Sequence, residues 1–303
     1  MPATNKGSGV LTLFESWDVT LDNLPAEDLM PACETAIWHD EYGPLVISRI
    51  NTSGRGGYRL RMGDDIAVDV HPERRIIARF RPEVSRTTVD HFLADQILPR
   101  VLASEGQFIL HSGAVRMGDG AILLMGTSGR GKSTLVTSFD RAGLSLMGDD
   151  AMTISWSDGQ AGAKPVYASL RLLPDSIEAL LPDAVTTTSV AYYTAKRRVT
   201  VPVADTNGAT PLPIQAIFLI AEPIENNKVG LRSLTIAEAC MALVESSFAL
   251  DPTDVIQARG RLAEASELAR NVPMFEIRYP RDYAQLPEVR AAILAQVAAL
   301  ETA

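Results

Sequence analysis

The chain has 303 residues, 46% of them apolar and 21% charged, with a formal net charge of −9. These proportions describe an ordinary globular protein, long enough to bury one large core or two modest ones. The acidic balance excludes non-specific nucleic-acid binding, which needs clustered Lys and Arg.

Residues 1–8 lack the basic-then-apolar pattern of a signal peptide, and no apolar run reaches bilayer length, so the expected location is cytoplasmic with no membrane partner. Cys33 and Cys240 lie far apart without metal-ligand spacing and read as reduced packing residues. In chain order, residues 10–14, 45–48, 58–61, 66–70 and 76–80 carry the pattern of short strands. Residues 51–57 read as a loop on composition, and Gly63-Asp64-Asp65 and His71-Pro72-Glu73 as turns. Residues 87–104 place Val89, Phe92, Leu93, Ile97 and Val101 at helical spacing, with Pro99 expected to kink the helix and Gly106 to end it. The division this predicts is a β-rich N-terminal module with a linking helix over 1–105 and a second domain over 106–303.

In the second domain, residues 108–111 and 114–116 read as strands, and Gly118-Asp119-Gly120 as a hairpin turn. Residues 121–125 read as a buried strand and 133–142 as a helix closed by Gly143. A strand at 144–147 runs into Gly148-Asp149-Asp150, and 152–156 continue it beyond a bulge. A short helix at 174–181 precedes a polar, Thr-rich excursion over 183–212, wrapped around a strand at 199–203. Residues 214–221 form a strongly apolar strand, and Thr235-Ile236-Ala237-Glu238 is a capping box opening a helix to about Leu250. Residues 254–269 and 288–300 are further amphipathic helices.

The chemistry concentrates between 108 and 155. Gly126-Thr127-Ser128-Gly129-Arg130-Gly131-Lys132-Ser133 fits G-x-x-x-x-G-K-[ST] between a buried strand and a helix, the setting that gives the pattern physical content. Glycines let backbone N–H groups turn inward on phosphate oxygens, and a helix N-terminus adds a favourable dipole. Lys132 would reach the β- and γ-phosphates, Ser133 would ligate Mg²⁺, and Thr134 continues the nucleotide-binding stretch, so ATP and Mg²⁺ are the expected cofactors. Asp149 and Asp150 follow on the next strand. Strand neighbours face opposite sides, so sharing a site needs a bend, with Gly148 the candidate. One carboxylate could then hold Mg²⁺ while the other accepts a proton; the plain alternative is a solvated turn. His111 ends a strand coupled by a hairpin to the loop strand, where an imidazole can polarise a base, although a lone His at a strand end is more often structural. A cation of Lys196-Arg197-Arg198 either reaches the γ-phosphate or stays solvated, and Arg130 carries the same ambiguity.

The stretch Leu110-His111-Ser112-Gly113-Ala114-Val115, the loop, and Met147-Gly148-Asp149-Asp150 together resemble the HPr kinase/phosphorylase family. The closer likeness is to the HPr-kinase-related proteins found with peptide natural-product systems such as lasso peptides. The resemblance covers roughly residues 108–155, and more weakly 167–174 and 214–221. It implies an α/β fold with a phosphate-loop core like that of phosphoenolpyruvate carboxykinase. It implies an ATP-dependent kinase that transfers the γ-phosphoryl group to the hydroxyl of a peptide or protein serine or of a small-molecule alcohol. On this resemblance Asp149 activates the acceptor, Asp150 supports Mg²⁺ with Ser133, and His111 assists the base. The chain lacks the Gly-rich stretch tied to phosphorylase activity in that family, so the reverse reaction is not expected, and its N-terminal module is not obviously the family's. A small-molecule kinase acting on a nucleoside such as adenosine, or on free serine, fits the same catalytic set. A nucleotide-dependent switch or ATPase without phosphotransfer is the reading from another class. Acceptor identity, ATP against GTP, homo-oligomerisation and the roles of Lys196, Arg197 and Arg198 are left open by the sequence.

Overall fold

The computed structural model describes residues 10–23, 34–39, 45–52, 55–167, 169–181, 185–200, 210–223 and 228–302. The chain is mixed α/β and divides into two compact units. One is Met1–Gly106 with Val190–Thr194 and Ala249–Ala258; the other is Gln107–Ser189, Ala195–Phe248 and Arg259–Ala303.

In the first unit, β1 (Asp18–Asn23), β2 (Glu34–His39), β3 (Leu45–Thr52), β4 (Arg55–Met62), β5 (Ile66–His71) and β6 (Arg75–Phe80) form one sheet. Its order is β1-β6-β5-β4-β3-β2; β2 to β6 pair antiparallel in sequence, and β1 returns parallel to β6. Residues 51–57, expected as a loop, are largely strand: β3 and β4 pair through them in register Asn51↔Gly56. Gly57 is there for packing, since a Cβ on it would sit 2.9 Å from the Val70 carbonyl oxygen. The expected strand at 10–14 is instead a single 3₁₀ turn at Leu11–Leu13, and β1 and β2 were not marked by any apolar alternation strong enough to read. Arg59 donates to Asp69 at 2.6 and 2.7 Å across β4 and β5, and Arg79 adds a third donor from β6. Helix α1 (Arg86–Phe92) passes through a π turn at Leu93–Ile97 into α2 (Leu98–Ser104). The expected kink at Pro99 takes this form because proline has no N–H to donate and its ring crowds the turn before it. Gly106, at φ +91°, ends the helix.

The second unit runs β7 (Phe108–Leu110), β8 (Ser112–Met117), β9 (Gly120–Met125), α3 (Lys132–Arg141), β10 (Leu146–Gly148), β11 (Met152–Ser157) and β12 (Gln160–Pro165). It continues with β13 (Arg171–Leu172), α4 (Pro174–Leu180), β14 (Thr187–Ser189), β15 (Arg197–Val199), β16 (Leu212–Ile220) and β17 (Gly230–Ser233). α5 (Ile236–Glu245), α6 (Val255–Asn271), β18 (Met274–Arg278) and α7 (Leu286–Glu301) complete the chain. The main sheet has the order β10-β8-β9-β16-β12-β11-β7, with β18 also on β16 and β17 on β18. β16 is the hinge of this arrangement. Leu212 and Pro213 pair with β12, while its later residues run parallel to both β9 and β18. Every residue of β9 is buried: Ala121, Leu123 and Met125 point into one core, and Ile122 and Leu124 into the other. Such a run, apolar on both faces, is what a central strand covered on both faces requires; β9 pairs antiparallel with β8 and parallel with β16. Leu135, Val136 and Phe139 of α3 and Val289, Ile293 and Val297 of α7 fill the second core.

The capping box at Thr235 and Glu238 is present, but α5 ends at Glu245 rather than near Leu250. The chain leaves the helix to pair with β7: the Ser246 carbonyl accepts from the His111 N–H at 2.7 Å, and Ser247 bridges Leu110. Of the strand expected at 199–203 only Val199 is seen as strand, at the end of β15, and Thr200 is not; residues 201–203, like Cys33, lie outside the described residues. Strands β12, β17 and β18 have no counterpart in the sequence expectations.

Candidate active site

The glycine-rich loop joins β9 to α3, and three of its glycines hold left-handed or positive-φ backbone: Gly126 (+148°), Gly129 (+80°) and Gly131 (+94°). A Cβ on Gly126 would lie 2.8 Å from the Ile220 carbonyl oxygen, so β16 presses on the loop from below. The loop thereby delivers the first N–H groups of α3 to one point, an anion-binding geometry. Lys132 is 5% exposed, and its Nζ donates to the carbonyls of Gly126 at 2.6 Å and Thr127 at 3.3 Å. Burial pushes its ammonium down to about 8, against the opposing pull of Asp150 and Asp149, and Lys196 pushes it the same way as burial.

Asp149 and Asp150 are buried at 0% and 3% exposure, so they are not a solvated turn. The expected bend lies two residues beyond Gly148. Asp150 itself adopts φ +78°, which breaks strand alternation, while Gly148 is needed because its Cβ would meet Pro165 Cβ at 2.7 Å. Asp150 is held by Arg171, whose Nε donates to Oδ2 at 2.9 Å and whose Nη2 pairs with the same oxygen. Asp149 differs: neither carboxylate oxygen has a hydrogen-bond partner. Burial first, and then the Asp150 charge, push its carboxyl up to about 6. Lys196, Ser133 and Arg171 act in the opposite direction, with the Ser133 hydroxyl close by but not in a well-aligned hydrogen bond. A buried, partnerless carboxylate is costly, and it marks a place built to receive a proton or a cation.

A cavity of about 230 Å³ opens in front of the loop. Residues 128–134, Asp150, Arg171 and Lys196 line it together with residues of α4 and of the segment before α7. Asp149 lies behind this lining, with its Oδ1 3.4 Å from where a Cβ of Gly113 on β8 would stand. His111, between β7 and β8, is not in the cavity wall; its ring meets Phe248 edge-on at 5.8 Å. The basic run divides. Lys196 reaches the cavity, whereas Arg197 donates to Thr187 Oγ1 at 2.8 Å. Arg130 pairs with Glu222 and donates to Thr127 Oγ1 at 3.0 Å, so it braces the loop. Asp175, Ser176, Tyr279, Arg281 and Tyr283 enter the site without any sequence motif to announce them, because the segments that carry them are brought in by the fold, and Arg171 comes from the stretch 167–174 that carried only the weaker resemblance.

No family model matches the chain, and no curated protein matches it. Among solved structures, one similar chain is the Hpr(Ser) kinase/phosphatase from Coxiella burnetii, 14% identical, covering 62% of this chain and 97% of that one at a TM-score of 0.30. So distant a superposition fixes neither fold nor activity.

Proposed function

We propose that the protein is an ATP-dependent phosphotransferase that moves the γ-phosphoryl group to an acceptor hydroxyl, on a peptide or protein serine or on a small-molecule alcohol. The observation that carries this reading is Asp149, a fully buried carboxylate with both oxygens unpartnered, set beside Ser133 at the head of a glycine-rich loop. A hydrolysing ATPase would use the same acid pair on a water molecule, so the dependence of ADP release on an acceptor separates the two readings.

The loop N–H groups and Lys132 hold the phosphates, with Lys132 turning from the Gly126 and Thr127 carbonyls to the nucleotide. Mg²⁺ fits these residues, since the Ser133 hydroxyl and the acidic pair stand together and the Asp149 oxygens are unsatisfied; it supplies charge neutralisation on the β- and γ-phosphates. Among the described residues no group of three or more His, Cys, Asp or Glu forms a metal cage, and Mg²⁺ is commonly held by one or two carboxylates together with substrate phosphates. Asp149 takes the acceptor's hydroxyl proton as its oxygen bonds to the γ-phosphorus and the bond to the β-phosphate oxygen breaks, releasing ADP. Asp150 supports the metal side of the site while Arg171 fixes its orientation. Lys196 lines the cavity as a further cation for the transferring phosphoryl group. His111, between β7 and β8, is a candidate to assist the base.

The test is ATP with Mg²⁺ against a panel of serine peptides, free serine and nucleosides, following labelled phosphate into product. Transfer that Lys132→Ala abolishes, with the fold retained by circular dichroism, supports the reading. ADP release that is rapid and indifferent to every acceptor would make the protein an ATPase or switch instead.

A further inference from the structure

The cavity lining holds two chemically distinct groups. Lys132, Ser133, Asp150, Arg171, Lys196 and Arg281 are charged or metal-binding in type, whereas Thr134, Asp175, Ser176 and Tyr283 bring hydroxyls and a carboxylate beside Leu286. The side chains of this second group form a connected row. Thr134 Oγ1 is 3.1 Å from Ser176 Oγ, Ser176 Oγ is 3.0 Å from the Tyr283 hydroxyl, and Tyr283 donates to Asp175 Oδ2 at 2.9 Å. Because Tyr283 gives its one hydrogen to Asp175, its oxygen accepts from Ser176, which in turn accepts from Thr134. The row therefore has a direction and terminates on a carboxylate. Ser176 is 3% exposed, so the row is anchored inside, while Asp175 stands exposed at the rim with acceptor capacity that one phenol does not fill.

We propose that this row lines the nucleoside subsite, in which Asp175 accepts hydrogen bonds from the 2′,3′-diol of a ribose and the Tyr283–Leu286 side covers the sugar and base. The inference rests on the phosphotransferase reading above and adds where the rest of the nucleotide lies. Thr134 follows Ser133 directly, so the row starts at the first turn of α3, beyond the metal-binding hydroxyl. Asp150 and Lys196 line the cavity with Asp149 behind them, which assigns the γ-phosphate and the acceptor to the charged group and leaves the row that leads away from Thr134 for the sugar. Carboxylates are suited to vicinal diols because each oxygen accepts one hydroxyl hydrogen.

Equilibrium titration of the full chain with ATP, 2′,3′-dideoxy-ATP and inorganic tripolyphosphate, all with Mg²⁺, tests this. The wild type is expected to bind ATP at least tenfold more tightly than the dideoxy nucleotide, the usual worth of hydrogen bonds to a charged group. Asp175→Ala should lose roughly tenfold in ATP affinity, keep its tripolyphosphate affinity, and bind ATP and the dideoxy nucleotide alike. Tyr283→Phe, which removes the donor to Asp175 without changing shape, should weaken ATP but not tripolyphosphate. Unchanged ATP affinity in Asp175→Ala overturns the proposal, and does so in favour of an acceptor subsite if the acceptor KM rises instead. A wild type that binds neither ATP nor tripolyphosphate overturns the phosphotransferase reading itself, an outcome distinct from the first.

Discussion

At the scale of single residues, the two neighbouring aspartates have opposite energetics. Asp149 is buried without a partner, so it costs stability in the ligand-free protein, whereas Asp150 is neutralised by Arg171. Asp149→Asn should therefore do two things at once. Phosphoryl transfer should fall by roughly 10²–10⁴-fold, the usual worth of a general base. The thermal midpoint of the ligand-free protein should rise, because an amide is cheaper to bury than a partnerless carboxylate. A variant with full activity and an unchanged midpoint would reduce Asp149 to a structural residue. Asp150→Ala removes the carboxylate that neutralises the Arg171 guanidinium, whose side chain is 4% exposed. The expected loss is about 3–5 kcal/mol in urea unfolding, as for one partner removed from a buried pair. In the surviving enzyme the Mg²⁺ concentration for half-maximal rate should rise. If added Mg²⁺ rescues Asp149→Asn and not Asp150→Ala, the base and metal roles are exchanged.

At the scale of elements, the loop is shaped by two independent demands on Gly126: a positive φ, and room for the Ile220 carbonyl. Gly126→Ala violates both, and the resulting shift should displace the carbonyl that holds Lys132 Nζ. ATP affinity should drop by roughly tenfold or more, as when about 1–3 kcal/mol of backbone strain is imposed on a binding loop. Wild-type affinity in that variant would mean that β16 yields and the loop does not depend on this contact. The same scale explains which elements the sequence reveals. The loop, the capping box at Thr235 and Glu238, and the Gly143 cap depend on contacts within a few residues, so their signatures are local. Edge strand β1 has only intermediate or exposed positions, and thus no apolar alternation to read.

At the scale of the whole molecule, each unit has its own charged core group. In the first unit burial pushes the Asp69 carboxyl up, but Arg59 and Arg79 outweigh it and hold it below the usual carboxylate range. A lowered folded pKa means that stabilisation is complete above the ordinary value of 3.8 and is lost as pH falls below it. The gap in urea midpoint between wild type and Asp69→Asn should therefore be wide at pH 7 and narrow below about pH 3.8. A gap independent of pH would show that the Asp69 ion pairs add nothing to stability. The units themselves are not cut at a single point: Val190–Thr194 and Ala249–Ala258 pack with the N-terminal residues although they come from the C-terminal half of the chain. There the Asp251 carboxylate, 0% exposed, accepts from Arg49 at 2.7 Å, a pairing across the chain that composition could not foretell.

The sequence by itself determined the loop, the strand and helix around it and the neighbouring aspartates, because each is written in residues that are neighbours in the chain. It also marked Lys196 as a candidate. Only the tertiary structure decided that Asp150 belongs to Arg171 while Asp149 stays unpartnered, that Arg130 braces the loop on Glu222, and that Thr134, Ser176, Tyr283 and Asp175 form one row. The physical reason is the same in each case. A hydrogen bond or ion pair between segments far apart in sequence exists only once the sheet has brought their backbones together, and no local pattern records which partner a buried polar group will find.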